Sequence, residues 1–447
     1  MIDLFYEAYF KLYEIFSYTQ YEGGVLTAAL KFIPFVLFFE LPFAALLMLG
    51  ITRYWLRSHF GRSAKDRPYY PGVTCIVTCY AEGHTARQAL YALAQQRYPG
   101  NIEIIALVDG ATRNSETWLI VQGMKESIDR TPNRTLIPAP KWQRGGRVSS
   151  TNSGLALARN EIIVSLDGDT VLDNDAIYRL TRHFARPGVV GVACSLRVLN
   201  ADENLLTAFH AVEYMMSIKA TRTGLAEFGV VNNISGAFGA FRRDFIRHIG
   251  GWDTGTAEDL NITTRIKAYF GRYPGTRLEF EPHAVGLTEA PSTVMGFFKQ
   301  RLRWDGDLFY IYIRKFWRSF TPRIFGWPNL LLYCWTGLLF QLLMPFAIMA
   351  YTIFLFMTLP APVVLGVMGL IYLFYLLLTG LFYGQYLLML SERPWTDLKY
   401  TPLLLIYPFF AFFGRCWNGV ATIVEMAMKS HRDTSMAPWW VLRRSRF

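Results

Sequence analysis

Cysteine is scarce in this sequence: five residues in 447, none spaced as a metal-binding pair. That excludes a zinc ribbon or a disulfide framework. Cys75 and Cys79 share one face of an apolar run with Val77 and are expected in a core. Neither the G-x-G-x-x-G dinucleotide fingerprint nor the Walker A pattern occurs, so dehydrogenase and P-loop readings fall away. Internal repeats and low-complexity tracts are missing as well. Acidic side chains are outnumbered, 34 against 45 Lys and Arg, leaving a net charge of +11.

A basic chain invites a nucleic-acid reading, but the placement of the charge argues against one. Arg53, Arg57, Arg62, Lys65 and Arg67 directly follow a hydrophobic block. That is the positive-inside pattern, and it puts the segment from about 56 to 325 in the cytoplasm. Residues 1–24 carry Asp3, Glu7, Glu14 and Glu22 against Lys11, which suits the opposite side.

What is abundant is apolar surface: 52% of residues are hydrophobic and the mean hydropathy is +0.20. The excess lies in four blocks, Phe32–Thr52, Leu330–Leu359, Pro362–Leu390 and Pro402–Met426. The first has about the length needed to cross a bilayer. It is too long, and starts too late, for a secretory signal. Glu40 interrupts the first block, Arg415 the fourth, and Glu425 stands at its end. A charge in a span is costly, so Glu40 and Arg415 are expected to face protein or a wet cavity. The alternative for Arg415 is snorkelling to an interface. Lys299, Arg301, Arg303, Arg314, Lys315, Arg318 and Arg323 alternate with aromatic residues, as in an amphipathic segment lying on a membrane. Three C-terminal spans would leave the tail outside, whereas Arg443, Arg444 and Arg446 prefer the inside, so the span count stays open. The expected division is an extracytoplasmic or interfacial segment 1–24, a span within 25–55, a cytoplasmic domain 56–290, interfacial helices 291–327, membrane helices 328–428 and a tail 429–447.

Within the domain, "GVTCIVTCY", "NIEIIALVD" and "EIIVSLDGD" read as buried strands, with helices over Ala86–Gln95 and Ser153–Arg159. Strands alternating with helices predict parallel pairing and a doubly wound sheet. Ligands bind beyond the carboxyl ends of such strands. Tyr80 and Glu82, Asp109, and Asp167 with Asp169 all fall there.

Three short motifs carry chemistry. Asp167-Gly168-Asp169 sets two carboxylates at a strand end, able to hold a divalent cation beside phosphate oxygens. The same tripeptide is also a common turn. In Thr256-Ala257-Glu258-Asp259 a carboxylate can act as general base, while Thr256 with Asp259 also fits a helix capping box. In Gln300-Arg301-Leu302-Arg303-Trp304 the two arginines diverge on a helix while Gln300 and Trp304 share a face. Arginine suits phosphate and tryptophan suits a sugar ring; an interfacial helix is the plainer explanation.

Taken together, Tyr80-Ala81-Glu82, Asp109, Asp167-Gly168-Asp169, "SGAFGAFRR" at 235–243, Glu258-Asp259 and QRLRW resemble the processive family 2 glycosyltransferases, which include cellulose, chitin, hyaluronan and poly-N-acetylglucosamine synthases. The similarity spans about residues 70–320. It implies an α/β GT-A-type glycosyltransferase domain with a doubly wound mixed sheet, inserted between transmembrane helices. It also implies a UDP-sugar donor and Mg2+ or Mn2+. Tyr80, Glu82, Asp109 and Asp167 would hold the nucleotide and Asp169, with Asp167, the metal. Asp259, beside Glu258, would be the base. Arg147, Arg301 and Arg303 would meet the diphosphate. Gln300, Trp304, Ser235 and Gly236 would meet the acceptor, the growing polysaccharide. The C-terminal spans would form its channel through the plasma (inner) membrane, with a small membrane subunit or export machinery as a plausible partner and no nucleic acid.

The chain departs from the family pattern at Ala257, where Thr is usual, and at Gly146-Arg147, where Lys often follows the glycine. It also ends soon after its last hydrophobic block, which speaks against the cyclic-dinucleotide-sensing barrel of bacterial cellulose synthase. "LDGDTVLDNDAI" and "SGAFGAFRRD" look most like the poly-N-acetylglucosamine branch, with the chitin-oligomer synthases next. UDP-N-acetylglucosamine is therefore the first expected donor, ahead of UDP-glucose or a hyaluronan-type pairing with UDP-glucuronate. A single-transfer enzyme acting on a lipid carrier would need neither QRLRW nor an exit path. A scaffold with a degenerate enzyme domain would be expected to lack part of the acidic set, which is intact.

Overall fold

The computed structural model describes residues 36–60, 69–253 and 257–428. Residues 1–24, Arg62, Lys65, Arg67, Thr256 and the tail with its three arginines lie outside the described residues, and with them the Thr256 cap.

Eight strands form one sheet: β1 (Val73–Cys79), β2 (Ile102–Asp109), β3 (Arg134–Lys141), β4 (Ile162–Asp167), β5 (Val171–Leu172), β6 (Val189–Val198), β7 (Phe238–Arg242) and β8 (Arg277–Thr288). Their order is β3-β2-β1-β4-β7-β6-β8-β5. From β3 to β4 every pairing is parallel. Beyond β4 the sheet turns mixed: β7 runs antiparallel to both β4 and β6, and β8 pairs parallel with β6. The expected parallel pairing holds among β1, β2 and β4, and the sheet as a whole is mixed, as expected.

The first two strands are buried along their whole length, as both-face coverage requires. Cys75, Val77 and Cys79 pack with Ala86, Leu90 and Leu93 of one helix, while Ile76 of the same strand joins Leu155 on the other side. The cysteines are therefore core, as expected. β3 carries Pro138 and Pro140, which lack the amide a central strand needs. It stands at the sheet edge accordingly.

The helices that bear on the site are α1 (Phe38–Phe60), α2 (His84–Ala94), α3 (Gly146–Leu157), α4 (Leu205–Glu213), α5 (Glu258–Lys267), α6 (Val294–Phe309), α7 (Trp327–Thr358), α8 (Ala361–Met389) and α9 (Tyr407–Met428). Among the described residues, α1, α7 and α8 are long and apolar enough to cross a membrane. Pro394–Leu405 and α9 would make a fourth span, bent by 73°. α6 runs against α9: Phe298 and Trp417 have ring centroids 4.2 Å apart, and Trp417 Nε1 donates to the Phe298 carbonyl at 3.2 Å.

Glu40 is buried at the start of α1 and accepts from Tyr375 Oη of α8 at 3.2 Å. Arg415 of α9 is half-buried, its guanidinium 6.0 Å from the Phe340 ring. Both charges thus face other helices, in keeping with the cost of a charge in hydrocarbon. The domain is tied to the segment after α8 by ion pairs: Arg197 of β6 with Asp397, and Lys219 with Glu392.

Candidate active site

The carboxyl ends of β1, β2 and β4 converge, as a parallel sheet dictates. After β1, Tyr80 is exposed and the Arg144 guanidinium lies 4.3 Å from its ring centroid. Ala81 takes a left-handed φ of 64°, an unusual state for a residue with a Cβ. The turn brings Glu82 back over β4: a Cβ on Gly168 would stand 3.0 Å from the Glu82 carboxyl carbon. Burial pushes the Glu82 carboxyl up to about 7, with Asp169 adding to the rise, while backbone hydrogen bonds and Arg147 oppose it. Glu82 Oε2 is buried without a partner. Burial also raises Asp169, whose Oδ1 accepts from Thr170 Oγ1 at 3.4 Å.

At the end of β2, Asp109 is turned inward. Its Oδ1 accepts from Gly145 N at 2.8 Å and Lys141 Nζ at 3.0 Å, and its Oδ2 accepts from Gly146 N at 2.8 Å. Both oxygens thus cap the start of α3. Arg147, in the first turn of α3, pairs with Asp167 Oδ1 and, 2.5 Å from its Nε, with Glu258 Oε1. Glu258 opens α5 and is buried; burial raises its carboxyl, and Arg147 and Arg303 pull it back down.

Asp259 follows on α5. Its Oδ2 accepts from Asn233 Nδ2 at 3.0 Å and Gly236 N at 3.3 Å. Thr263, one turn on, accepts from Ile234 N at 3.0 Å and donates to Asn233 Oδ1 at 3.2 Å, which fixes the 233–236 loop on α5. Ser235 and Gly236 are half-buried in that loop. A Cβ at Gly236 would sit 2.9 Å from both Arg147 Nη2 and Glu258 Oε1, so no larger residue fits without displacing the pair.

On α6 the two arginines diverge as the helical spacing predicts. Arg303 and Trp304 are exposed, and Arg303 is near enough to Glu258 to act on its charge. Gln300 Oε1 is buried without a partner. Arg301 instead pairs with Glu213 of α4 and lies 5.3 Å from the Phe297 ring and 5.4 Å from the Trp304 ring. That arrangement engages Arg301 Nη2 with a neighbouring helix.

The structure thus brings Glu82, Arg147, Asp167, Asp169, Gly236, Glu258, Asp259 and Arg303 of the expected set together. Sequence reasoning misses Arg144 and Lys141, which follow from β3 being unrecognised: Lys141 ends that strand, and Arg144 lies in the loop from it to α3. It also misses Asn233 and the half-buried Arg222, which is close enough to Asp259 for that charge to offset part of its burial penalty. Among the described residues no group of three or more His, Cys, Asp and Glu side chains could hold a metal by itself. The acidic pair of β4 with the orphaned Glu82 oxygen suits a hard cation that also takes phosphate oxygens.

Comparison with known proteins fits this geometry. A poly-beta-1,6-N-acetyl-D-glucosamine synthase of Staphylococcus epidermidis is 25% identical over 300 residues, 65% of this chain and 68% of its own length. One from Staphylococcus aureus is 24% identical over 302 residues, 66% of this chain and 70% of its own. A mannosyltransferase of Pyrobaculum calidifontis, solved with GDP-mannose and Mn2+, shares the fold with a TM-score of 0.55 at 18% identity, over 87% of this chain and 99% of that one. Residues 71–306, over half the chain, match the model of glycosyltransferase like family 2, and the chain belongs to that family of glycosyltransferases.

Proposed function

We propose that the chain is a multi-pass inner-membrane, inverting, processive β-glycosyltransferase that polymerises UDP-N-acetylglucosamine and passes the polymer across the bilayer. The observation that carries this reading is the meeting at Glu258 of the donor side, through Arg147 and Asp167, with the membrane side, through Arg303 of α6. A nucleotide bound at β4 and an acceptor lying along α6 would then react beside Asp259. The staphylococcal synthases support N-acetylglucosamine as the first donor to try.

In this reading Tyr80 and Arg144 offer flat faces to the uracil. Asp167 and Asp169, with Glu82 beside them, would hold Mg2+ or Mn2+ together with the diphosphate. Such an ion neutralises the charge that develops on departing UDP. Asp259 accepts the proton of the acceptor hydroxyl as that oxygen bonds to the anomeric carbon, and the bond to the diphosphate breaks on the opposite face, inverting the centre. The Asn233 and Gly236 N–H groups hold Asp259 for that task. Trp304 gives a sugar ring an apolar face, Gln300 accepts from a hydroxyl, Ser235 and Gly236 line the acceptor side, and Arg303 meets the diphosphate.

The test is turnover by the full chain in lipid nanodiscs with Mn2+ or Mg2+, offering UDP-N-acetylglucosamine, UDP-glucose and UDP-glucuronate singly and in pairs. UDP release with long polymer from UDP-N-acetylglucosamine alone is expected. A need for two donors, or only short or lipid-linked product, would overturn the proposal.

A further inference from the structure

Arg147 makes the contact that links the two halves of the site. It is mostly buried, 15% exposed at the side chain, against Asp167 at 32% and Glu258 at 8%. Its Nη1 meets Asp167 at the end of β4, and its Nε meets Glu258 at the start of α5. The third nitrogen, Nη2, is buried, has no hydrogen-bond partner among the described residues and faces Gly236, whose amide donates to Asp259. The guanidinium is planar and presents separate N–H groups on its edges, so one side chain can pair with two carboxylates at once. A lysine ammonium, a point charge on a flexible stem, cannot reproduce that span. Without Arg147, Asp167 and the buried Glu258 would each lose a guanidinium partner, with Arg303 left to offset Glu258.

We propose that Arg147 is a positioning residue: it fastens the base-bearing helix α5 to the donor-side strand β4, and it is not a contact for the donor's diphosphate. The inference rests on the assignment of Asp259 as base and Asp167 as a donor-side group. It has two consequences of opposite sign. Loss of the bridge frees Glu258 and lets α5, and with it Asp259, leave the geometry that transfer needs; small misplacements of a reacting group cost about 100-fold in rate. Loss of the bridge also frees Asp167 from a cation that competes with a divalent ion for the same oxygen. Binding of Mn2+–UDP should therefore hold or tighten, whereas removing a true diphosphate contact would weaken it.

The experiment uses the full chain in nanodiscs with Arg147→Ala, Arg147→Lys, Glu258→Gln and the Arg147→Ala/Glu258→Gln double variant. Mn2+–UDP affinity is measured by calorimetry, and kcat and KM by UDP release. Expected for Arg147→Ala is affinity within about threefold of wild type or tighter, KM little changed, and kcat down by about 100-fold. Arg147→Lys, which keeps the charge and serves if the alanine variant does not fold, should retain affinity yet recover little of kcat. The double variant should be no slower than the worse single, since both remove the same bridge. An affinity loss of about tenfold or more with kcat retained at saturating donor, full rescue by lysine, or additive losses would each overturn the proposal. Wild-type protein that binds Mn2+–UDP but turns over no UDP-sugar would defeat the synthase reading alone; the affinities of Arg147→Ala and Arg147→Lys would still decide between a donor contact and a positioning role.

Discussion

Asp109 caps a helix that begins 37 residues later: its Oδ1 accepts the Gly145 amide at 2.8 Å, and its Oδ2 accepts Gly146 at the same distance. The negative charge sits at the positive end of α3, where backbone N–H groups have no partner within the helix. Lys141 closes the set at 3.0 Å. Asp109→Ala would leave the Gly145 and Gly146 amides without their acceptor and take the carboxylate from Lys141, which keeps only Ser149 and Ser150, at a cost of about 2–3 kcal/mol. Thermal unfolding should register a clear fall in Tm. Because Arg147 is in the first turn of the same helix, turnover should fall too, and a variant melting with wild type would show that α3 needs no cap from β2.

Asp259→Asn keeps the shape of the side chain and one acceptor oxygen for Asn233 or Gly236, but it removes the base. Transfer should drop by about 100- to 10,000-fold, the usual contribution of general base catalysis. UDP affinity should be unchanged, since the donor groups are on β1 and β4. Wild-type polymer synthesis by this variant would refute the base assignment.

Arg301 and Arg303 separate into two roles that point mutants can distinguish. Arg301 joins α6 to α4 through Glu213, with both side chains largely buried, at 15% and 20% exposure. Breaking the pair should cost about 2 kcal/mol, less than a fully buried pair because some solvent reaches it. Arg301→Ala should therefore lower Tm while Mn2+–UDP affinity holds; Arg303→Ala should leave Tm near wild type and raise KM for the donor. The reverse assignment of effects would mean that Arg301, and not Arg303, meets the diphosphate.

What the sequence made legible follows from local order. The apolar runs of β1, β2 and β4 and the acidic residues at their ends are contiguous, so periodicity and strand-end position suffice. The start of α3 is different. "GGRVSSTNSG" has the composition of a loop, and a helix beginning only at Ser153 is the natural expectation; the true start is Gly146, because the cap comes from Asp109 on another element. β3 is hidden by its two prolines, which only an edge position tolerates. The antiparallel turn at β7 and the pairing of Arg301 with Glu213 depend on residues far apart in the chain, and no local pattern encodes them. The two arginines of QRLRW are equivalent in sequence and become different only when α6 packs on α4.

Lys267, at the far end of α5, gives a pH signature. Its Nζ is fully buried and lacks a hydrogen-bond partner; it lies 4.4 Å from the Tyr333 ring centroid, among Leu260, Tyr312 and Phe325. Burial lowers its pKa from 10.5 to about 7. Between those two values the unfolded chain carries the proton and the folded chain does not, so unfolding takes up a proton and stability rises with pH across that window. Below about 7 both states are protonated, and the full cost of a buried ammonium is present. The Tyr333 face offsets part of that cost through a desolvated cation–π contact, leaving on the order of a few kcal/mol. Lys267→Met fills the same volume without charge. It should raise stability at pH 7 by about that amount and flatten the rise in Tm between pH 7 and 10, with the gain over wild type shrinking as pH increases. A gain that instead grew with pH, or a variant less stable than wild type at pH 7, would mean that the ammonium is favourably held where it lies.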